Sequence, residues 1–166
     1  MIESVLTWMD GVNLEFDIHP KRVLDVGSKD RNGKIGARKQ FPDSEYLGVD
    51  MEKGPNVDMI ADVYQLEDYF PQGDFDAVLS MHLLEHVAFF WKVLEQIKYV
   101  LSDHGYLYIS APGFGYPKHN YPSDYWRVTQ EAMTEVLMRG YEVISIEDAK
   151  STYHKHPIIN CLGVKR

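Results

Sequence analysis

The sequence predicts an α/β fold: an open, mostly parallel sheet wound on both faces by helices. Three observations carry this. Short apolar runs of strand length alternate with stretches of helical spacing, the pattern of repeated βαβ units. Hydrophobic residues make up 45% of the 166, enough to cover both faces of such a sheet. Several apolar runs end in Asp, Gly, Ser or His, at the strand ends where open α/β sheets hold their ligands. One domain is expected over residues 1–166.

In chain order, residues 2–14 fit an opening helix. Arg22-Val-Leu-Asp-Val26 is a buried strand stopped by Gly27, and the polar stretch from Ser28 to Gly33 is the loop after it. A short helix is expected from Ile35 to Gln40. Glu45-Tyr-Leu-Gly-Val49 makes a second strand ending in Asp50, and Val57-Asp-Met-Ile-Ala61 a third ending in Asp62. A short helix from Val63 to Phe70 leads to a fourth strand, Phe75-Asp-Ala-Val-Leu79. The clearest helix runs from Glu85 to Leu101, with Val87, Phe90, Trp91, Leu94, Ile97 and Leu101 at roughly helical spacing, and its Phe90, Trp91 and Leu94 stripe is read as core. Gly105 to Ile109 is a fifth strand. Residues 111–127 hold Pro112, Pro117, Pro122, two glycines and five aromatic side chains, the composition of an ordered loop. Thr129 is the expected N-cap of a helix running to Arg139, with Gly140 as its stop. Strands 141–146 and 157–164 complete the sheet.

The formal net charge of −8 argues against a partner tracked by its phosphates, so no nucleic acid is expected. The lone Cys161 allows no internal disulfide and no multi-cysteine metal site, and it reads as a buried structural thiol. The first residues carry acidic groups and no long apolar run, and no stretch approaches the ~20 apolar residues of a membrane span. A cytoplasmic protein without a membrane partner is expected. Its oligomeric state is not fixed by the sequence.

At the carboxyl edge of the sheet the first strand leaves Asp25, Gly27 and Ser28. The second leaves Asp50 with Met51, the third Asp62 with Val63, and the fourth Ser80, Met81 and His82. Three carboxylates on one edge suit a ligand with hydroxyl and amino donors and a positive charge. Asp50 follows Gly27 by ~20 residues, where dinucleotide-type folds place an acid on ribose hydroxyls. A solvated loop carboxylate would occupy the same position. The pattern G-x-G-x-x-G would need glycines at 27, 29 and 32, and the chain has Gly27, Lys29 and Asn32, which disfavours a pyrophosphate and a nicotinamide cofactor.

Taken together, these segments resemble the class I S-adenosylmethionine-dependent methyltransferases over about residues 22–143. Val23-Leu-Asp-Val-Gly27 is similar to that family's first motif, Tyr46-Leu-Gly-Val-Asp50 to its second strand, and Ala61-Asp62-Val63 to its adenine-binding turn. Phe75-Asp-Ala-Val-Leu-Ser-Met-His-Leu-Leu-Glu-His86 resembles its fourth-strand motif, and the run from Leu101 to Pro112 its fifth strand. A narrower likeness, in His119-Asn-Tyr-Pro-Ser-Asp-Tyr-Trp-Arg-Val-Thr129, is to a subgroup of small members. The resemblance implies a Rossmann-like, doubly wound sheet of about seven strands with an antiparallel seventh, and S-adenosylmethionine as cofactor. It implies that Asp25 and Gly27 line the methionine end, Asp50 holds the ribose, Asp62 meets the adenine amino group, and Met81 contacts the cofactor, with Ser28, Met51 and Val63 beside them. The chain departs from the first motif at Lys29, where many members have a second glycine.

His82-Leu-Leu-Glu-His86 matches H-x-x-E-H, a zinc-peptidase pattern. His82 is expected at a strand end rather than on a helix, and no distant third ligand is evident, so no metal is expected. Glu85 and His86 read as a polar first helical turn, with a structural hydrogen bond as the plain role of His86. His82 and His119 are the candidates to take a proton from a hydroxyl acceptor. On the loop, Tyr121, Asp124, Tyr125, Trp126 and Arg127 are candidates to hold the acceptor under a lid. The alternative there is that Tyr125 and Trp126 plug the loop onto the core while Asp124 and Arg127 pair. The acceptor is expected to be a small molecule or a glycan. The rival function is a non-catalytic module that keeps the fold as a regulatory or assembly subunit.

Overall fold

The computed structural model describes residues 3–30, 36–119, 122–150 and 156–166. Seven strands form one sheet: β1 (Arg22–Val26), β2 (Glu45–Asp50), β3 (Met59–Ile60), β4 (Phe75–Met81), β5 (Leu101–Pro112), β6 (Tyr141–Lys150) and β7 (Pro157–Lys165), in the order β3-β2-β1-β4-β5-β7-β6. The first five pair in parallel, and β7 runs antiparallel to both β5 and β6. The chain winds outward from β1 to β3 and then crosses back to β4. The order therefore reverses between β1 and β4, which sets a crevice beyond their carboxyl ends.

Strand residues alternate between two apolar cores because successive side chains point to opposite faces. On β1, Val23 joins one core while Leu24 and Val26 join the other; on β4, Ala77 and Leu79 oppose Val78, and a register shift between Phe75 and Ala77 puts Phe75 in the Val78 core. Helix α1 (Glu3–Glu15) buries Val5, Trp8, Met9 and Val12 in the Val23 core. Helix α2 (Phe90–Val100) buries Val93, Ile97 and Val100 on the opposite face. They are joined there by α3 (Gln130–Ala132), which widens into a π-type turn over Met133–Leu137. Thr129 caps α3, its hydroxyl accepting the Ala132 N–H at 3.1 Å. Gly140 adopts φ +91° just before β6. Cys161 is buried, and burial pushes its thiol up to about 12. No helix among the described residues is long and apolar enough to cross a membrane.

Several local expectations are corrected. The third strand is two residues long rather than five. The helices expected at 35–40 and 63–70 are single 3-10 turns, Ala37–Gln40 and Leu66–Asp68. The helix expected from Glu85 is interrupted: a 3-10 turn over Leu84–His86 gives way to extended backbone at Val87 (φ −106°, ψ 129°), and α2 begins at Phe90. The cause is tertiary. The carbonyls of Glu85 and Val87 accept hydrogen bonds from the 122–127 loop, so they are withheld from a continuous helix. The buried stripe shifts accordingly. Trp91 is 46% exposed, and Phe90 and Leu94 are only partly buried against the core.

Candidate active site

At the end of β1 the amides of Gly27 and Ser28 both donate to the Val49 carbonyl, at 2.9 and 3.0 Å, turning the chain sharply out of the sheet. Gly27 has φ +74°, and a Cβ there would come within 2.9 Å of Leu83 Cδ1, so both conformation and space call for glycine. The Ser28 hydroxyl donates to the Asn56 carbonyl at 3.0 Å. Asp25 is 2% exposed and accepts the Tyr46 hydroxyl at 2.7 Å. Burial outweighs that hydrogen bond and raises the Asp25 carboxyl from 3.8 to about 7.

Asp50 closes β2, and its carboxylate accepts the N–H groups of Lys29 (3.2 Å) and Glu52 (3.0 Å). The Lys29 ammonium pairs with Glu52 at 2.6 Å. Its methylenes lie against Gly54, where a Cβ would come within 2.9 Å. The residue that breaks the glycine pattern is thus accommodated by another glycine. Asp62, beyond β3, accepts the Tyr64 N–H at 2.9 Å, beside the buried Val63. Met51 is 66% exposed, and Met81 is buried at the end of β4, in register with Ser110. Asp25, Gly27, Ser28, Asp50, Met51, Asp62, Val63 and Met81 therefore all fall at or next to the carboxyl edge of β1 to β4.

The residue after Met81 begins a second grouping. His82 adopts φ +55°, an uncommon conformation for a non-glycine residue, and its N–H donates to the Ser110 carbonyl at 2.8 Å. The turn that follows places Glu85, 1% exposed, at the centre of three imidazoles. Glu85 Oε1 lies 3.3 Å from His82 Nδ1, 3.6 Å from His119 Nε2 and 3.8 Å from His86 Nε2. Burial pushes the Glu85 carboxyl up, but the imidazoles of His119 and His82 outweigh it and hold the group at about 2. The same contact raises His119 above its ordinary value. Glu85 Oε2 is buried without a hydrogen-bond partner.

The 122–127 loop locks this cluster in place. The Tyr125 N–H donates to the Glu85 carbonyl at 2.7 Å, and the Trp126 indole N–H to the Val87 carbonyl at 2.9 Å. The Trp126 ring meets Phe90 edge-on at 5.3 Å, while Tyr125 is 52% exposed. Asp124 accepts Arg127 through both oxygens, at 2.5 and 2.7 Å, and the His119 N–H at 2.7 Å, so Arg127 holds its carboxyl well below the usual range. Arg127 also donates to the carbonyls of Tyr116, Trp126 and Pro117, which together occupy all five guanidinium N–H groups. Arg127 is thus a strut of the loop. Tyr121 lies outside the described residues.

An apolar cavity of about 200 Å³ adjoins the cluster, lined by Leu84, Phe90, Ala111, Trp126, Val128 and Leu137 among others, with Glu85 and Arg127 also in its wall. Glu85 is therefore shared between cavity and histidines. The sequence reading missed its central place. The H-x-x-E-H spacing was visible, but the return of His119 across more than ~30 residues follows from the folded loop alone.

A methyltransferase-domain family model matches residues 6–145. Methyltransferase str3 of Strobilurus tenacellus is 33% identical over 101 residues, covering 57% of this chain and 36% of that protein, so the match spans about a third of the relative's length. Among solved structures, the 1,6-didemethyltoxoflavin-N1-methyltransferase of Burkholderia thailandensis, with bound 1,6-didemethyltoxoflavin and S-adenosylhomocysteine, superposes with TM-score 0.78 at 16% identity, covering 98% of this chain and 79% of that one. N-methyltransferase NodS of Bradyrhizobium japonicum, in complex with S-adenosylhomocysteine, gives 0.70 at 10% identity, with 96% and 85% covered. The [4+2]-cyclase SpnF gives 0.71 at 17% identity, with 96% and 80% covered. At these identities the likeness shows the fold, and the cyclase illustrates that one fold hosts more than one chemistry. The family model spans most of the residues, and on that match the chain belongs to the methyltransferase family.

Proposed function

We propose that the protein transfers a methyl group from S-adenosylmethionine to a small acceptor that has an apolar body and a hydroxyl. The observation that carries this reading is the buried Glu85 with its three imidazoles, standing between the strand edge and an apolar cavity. The residues along that edge fit the cofactor by their chemistry. Asp50 and Asp62 offer carboxylate acceptors for ribose hydroxyls and an adenine amino group. Gly27 leaves backbone where a side chain would intrude, and the acidic rim favours a cation. When bound, S-adenosylmethionine supplies a methyl group on a positively charged sulfur, a good leaving group.

The chain's own residues then have three tasks. Asp25, Gly27, Ser28, Asp50, Met51, Asp62, Val63 and Met81 hold the cofactor end of the site. The cavity excludes water and aligns the acceptor, and alignment alone supplies up to ~7–11 kcal/mol in favourable cases. His82 or His119 receives the hydroxyl proton, with Glu85 stabilising the imidazolium that forms. Tyr125 and Trp126 contribute the loop wall, and Asp124 and Arg127 hold that wall in position. The apolar lining favours an apolar small molecule over a glycan. No feature of the described residues favours the non-catalytic alternative.

The test is incubation with methyl-labelled S-adenosylmethionine and two acceptor panels, apolar phenols and alcohols in one and saccharides in the other. Label in the first panel alone is the expected result. Transfer confined to saccharides, or no transfer to either, would overturn the acceptor assignment.

A further inference from the structure

We propose that Glu85, His86 and His119 form a binding site for a divalent cation of the zinc class. The role given below to a bound cation rests on the methyl-transfer reading, whereas the binding itself does not. The ligand atoms of the three residues lie within 4.8 Å of one another.

The hydrogen bonds around the two imidazoles fix their tautomers. His86 Nδ1 lies 2.6 Å from the Ser123 carbonyl, which can only accept, so Nδ1 carries the proton and the Nε2 lone pair faces Glu85. His119 Nδ1 lies 3.4 Å from the Pro117 carbonyl and 3.5 Å from Asp124 Oδ2, both acceptors, and its Nε2 again faces Glu85. Each ring is thus oriented from behind by a carbonyl or carboxylate, the arrangement that supports metal-bound histidines. Two ring lone pairs and a carboxylate converge on one point. With both rings neutral and protonated at Nδ1, the cluster presents only acceptors around the buried Glu85, an arrangement that a cation between them, a proton or a metal ion, relieves.

The Glu85 carboxylate gives a second, independent indication. Its Oε2 atom is buried and has no hydrogen-bond partner, although buried carboxylate oxygens are normally satisfied. A cation at the cluster would take that oxygen as well. Two histidines and one glutamate are a ligand set used for zinc with one position left open. Tetrahedral ligands at ~2.0–2.2 Å from the ion stand ~3.4 Å apart, so the 3.6 and 3.8 Å separations from Glu85 close by a few tenths of an ångström, and the two imidazole nitrogens, within 4.8 Å of each other, draw together as well. His119 sits on the loop side with its side chain 33% exposed and can make that movement. Because Glu85 also lines the cavity, the open position would take the acceptor oxygen and ease loss of its proton. His82, outside the ligand set and 3.3 Å from Glu85 Oε1, would then receive that proton.

The test uses the purified chain stripped with a chelator, then titrated calorimetrically with zinc chloride and followed by visible absorption with cobalt(II). One equivalent of zinc bound at micromolar concentration or tighter, with cobalt bands typical of nitrogen and oxygen ligands, is expected. His119→Ala should weaken zinc binding at least ~10-fold, and His19→Ala, an exposed histidine elsewhere, should leave it unchanged. Circular dichroism and titration with S-adenosylhomocysteine check that each variant is folded. Zinc binding that is absent, or equal in wild type and His119→Ala, would overturn the proposal and leave a proton as the cation of the cluster. If S-adenosylhomocysteine still binds in that case, the methyltransferase reading survives. If zinc binds and S-adenosylhomocysteine does not, the metal site stands and that reading fails.

Discussion

Asp25→Asn should reverse a pH-dependent weakness that lies at the centre of the sheet. Burial lifts the Asp25 carboxyl from 3.8 to about 7 despite the hydrogen bond from Tyr46. The folded protein therefore holds a proton that the unfolded chain has released, and stability falls as pH rises from about 4 to about 7. The full difference corresponds to about 4 kcal/mol at ~1.36 kcal/mol per pH unit, of which about 3 kcal/mol lies between pH 5 and 8.5. The amide that replaces the carboxyl does not titrate and can still accept the Tyr46 hydroxyl. Urea denaturation of wild type and variant should be measured at pH 5 and at pH 8.5. The stability of the variant relative to wild type should improve by about 3 kcal/mol between those points. Taking the difference cancels contributions common to both proteins, including the opposite effect of Glu85, whose stabilisation is lost only as pH falls from 4.5 towards about 2. A relative stability that does not change with pH would refute the assignment of a raised, buried carboxyl at this position.

Asp50→Ala should weaken binding of S-adenosylhomocysteine by ~10- to 100-fold, the loss of a charged hydrogen-bond acceptor worth ~1.5–3 kcal/mol, with the fold retained but the melting temperature lowered by release of the Lys29 and Glu52 N–H groups; unchanged affinity in calorimetry would remove the ribose role. Gly27→Ala should cost about 1–3 kcal/mol of stability, because φ +74° is strained for alanine and the added carbon would press on Leu83, and a denaturation midpoint equal to wild type would contradict this. Arg127→Met should leave the covered Asp124 carboxylate with only its His119 contacts, at a cost of up to about 3 kcal/mol, seen as faster proteolysis of the loop that Arg127 braces. Cofactor affinity should be retained in that variant, and its loss would show that the two halves of the site are not separable in this way.

The strands were legible because buried strand runs are short, apolar and closed by polar residues, as at Val26-Gly27 and Val49-Asp50. The connections were less so. Between β1 and β2, and between β3 and β4, what was expected as helix tightens into the 3-10 turns Ala37–Gln40 and Leu66–Asp68. The break at Val87 had no local signal, since its cause is Trp126, which lies 39 residues along the chain. The same is true of the site. The positions of Asp50, Asp62 and Met81 follow from where strands end, which periodicity reveals. Glu85 acquires its role from His119, brought back by a loop whose Arg127 spends every donor on holding it. A helical reading of 85–101 made Glu85 part of a polar first turn, whereas it is among the most buried charged groups described.

Calorimetric titration of the purified protein with S-adenosylmethionine and S-adenosylhomocysteine, with NAD as control, is the decisive measurement. Binding of the first two in the micromolar range without binding of NAD is the result the strand-edge acids and the broken glycine pattern predict. Absence of binding by either sulfur compound, or equal binding of NAD, would contradict it.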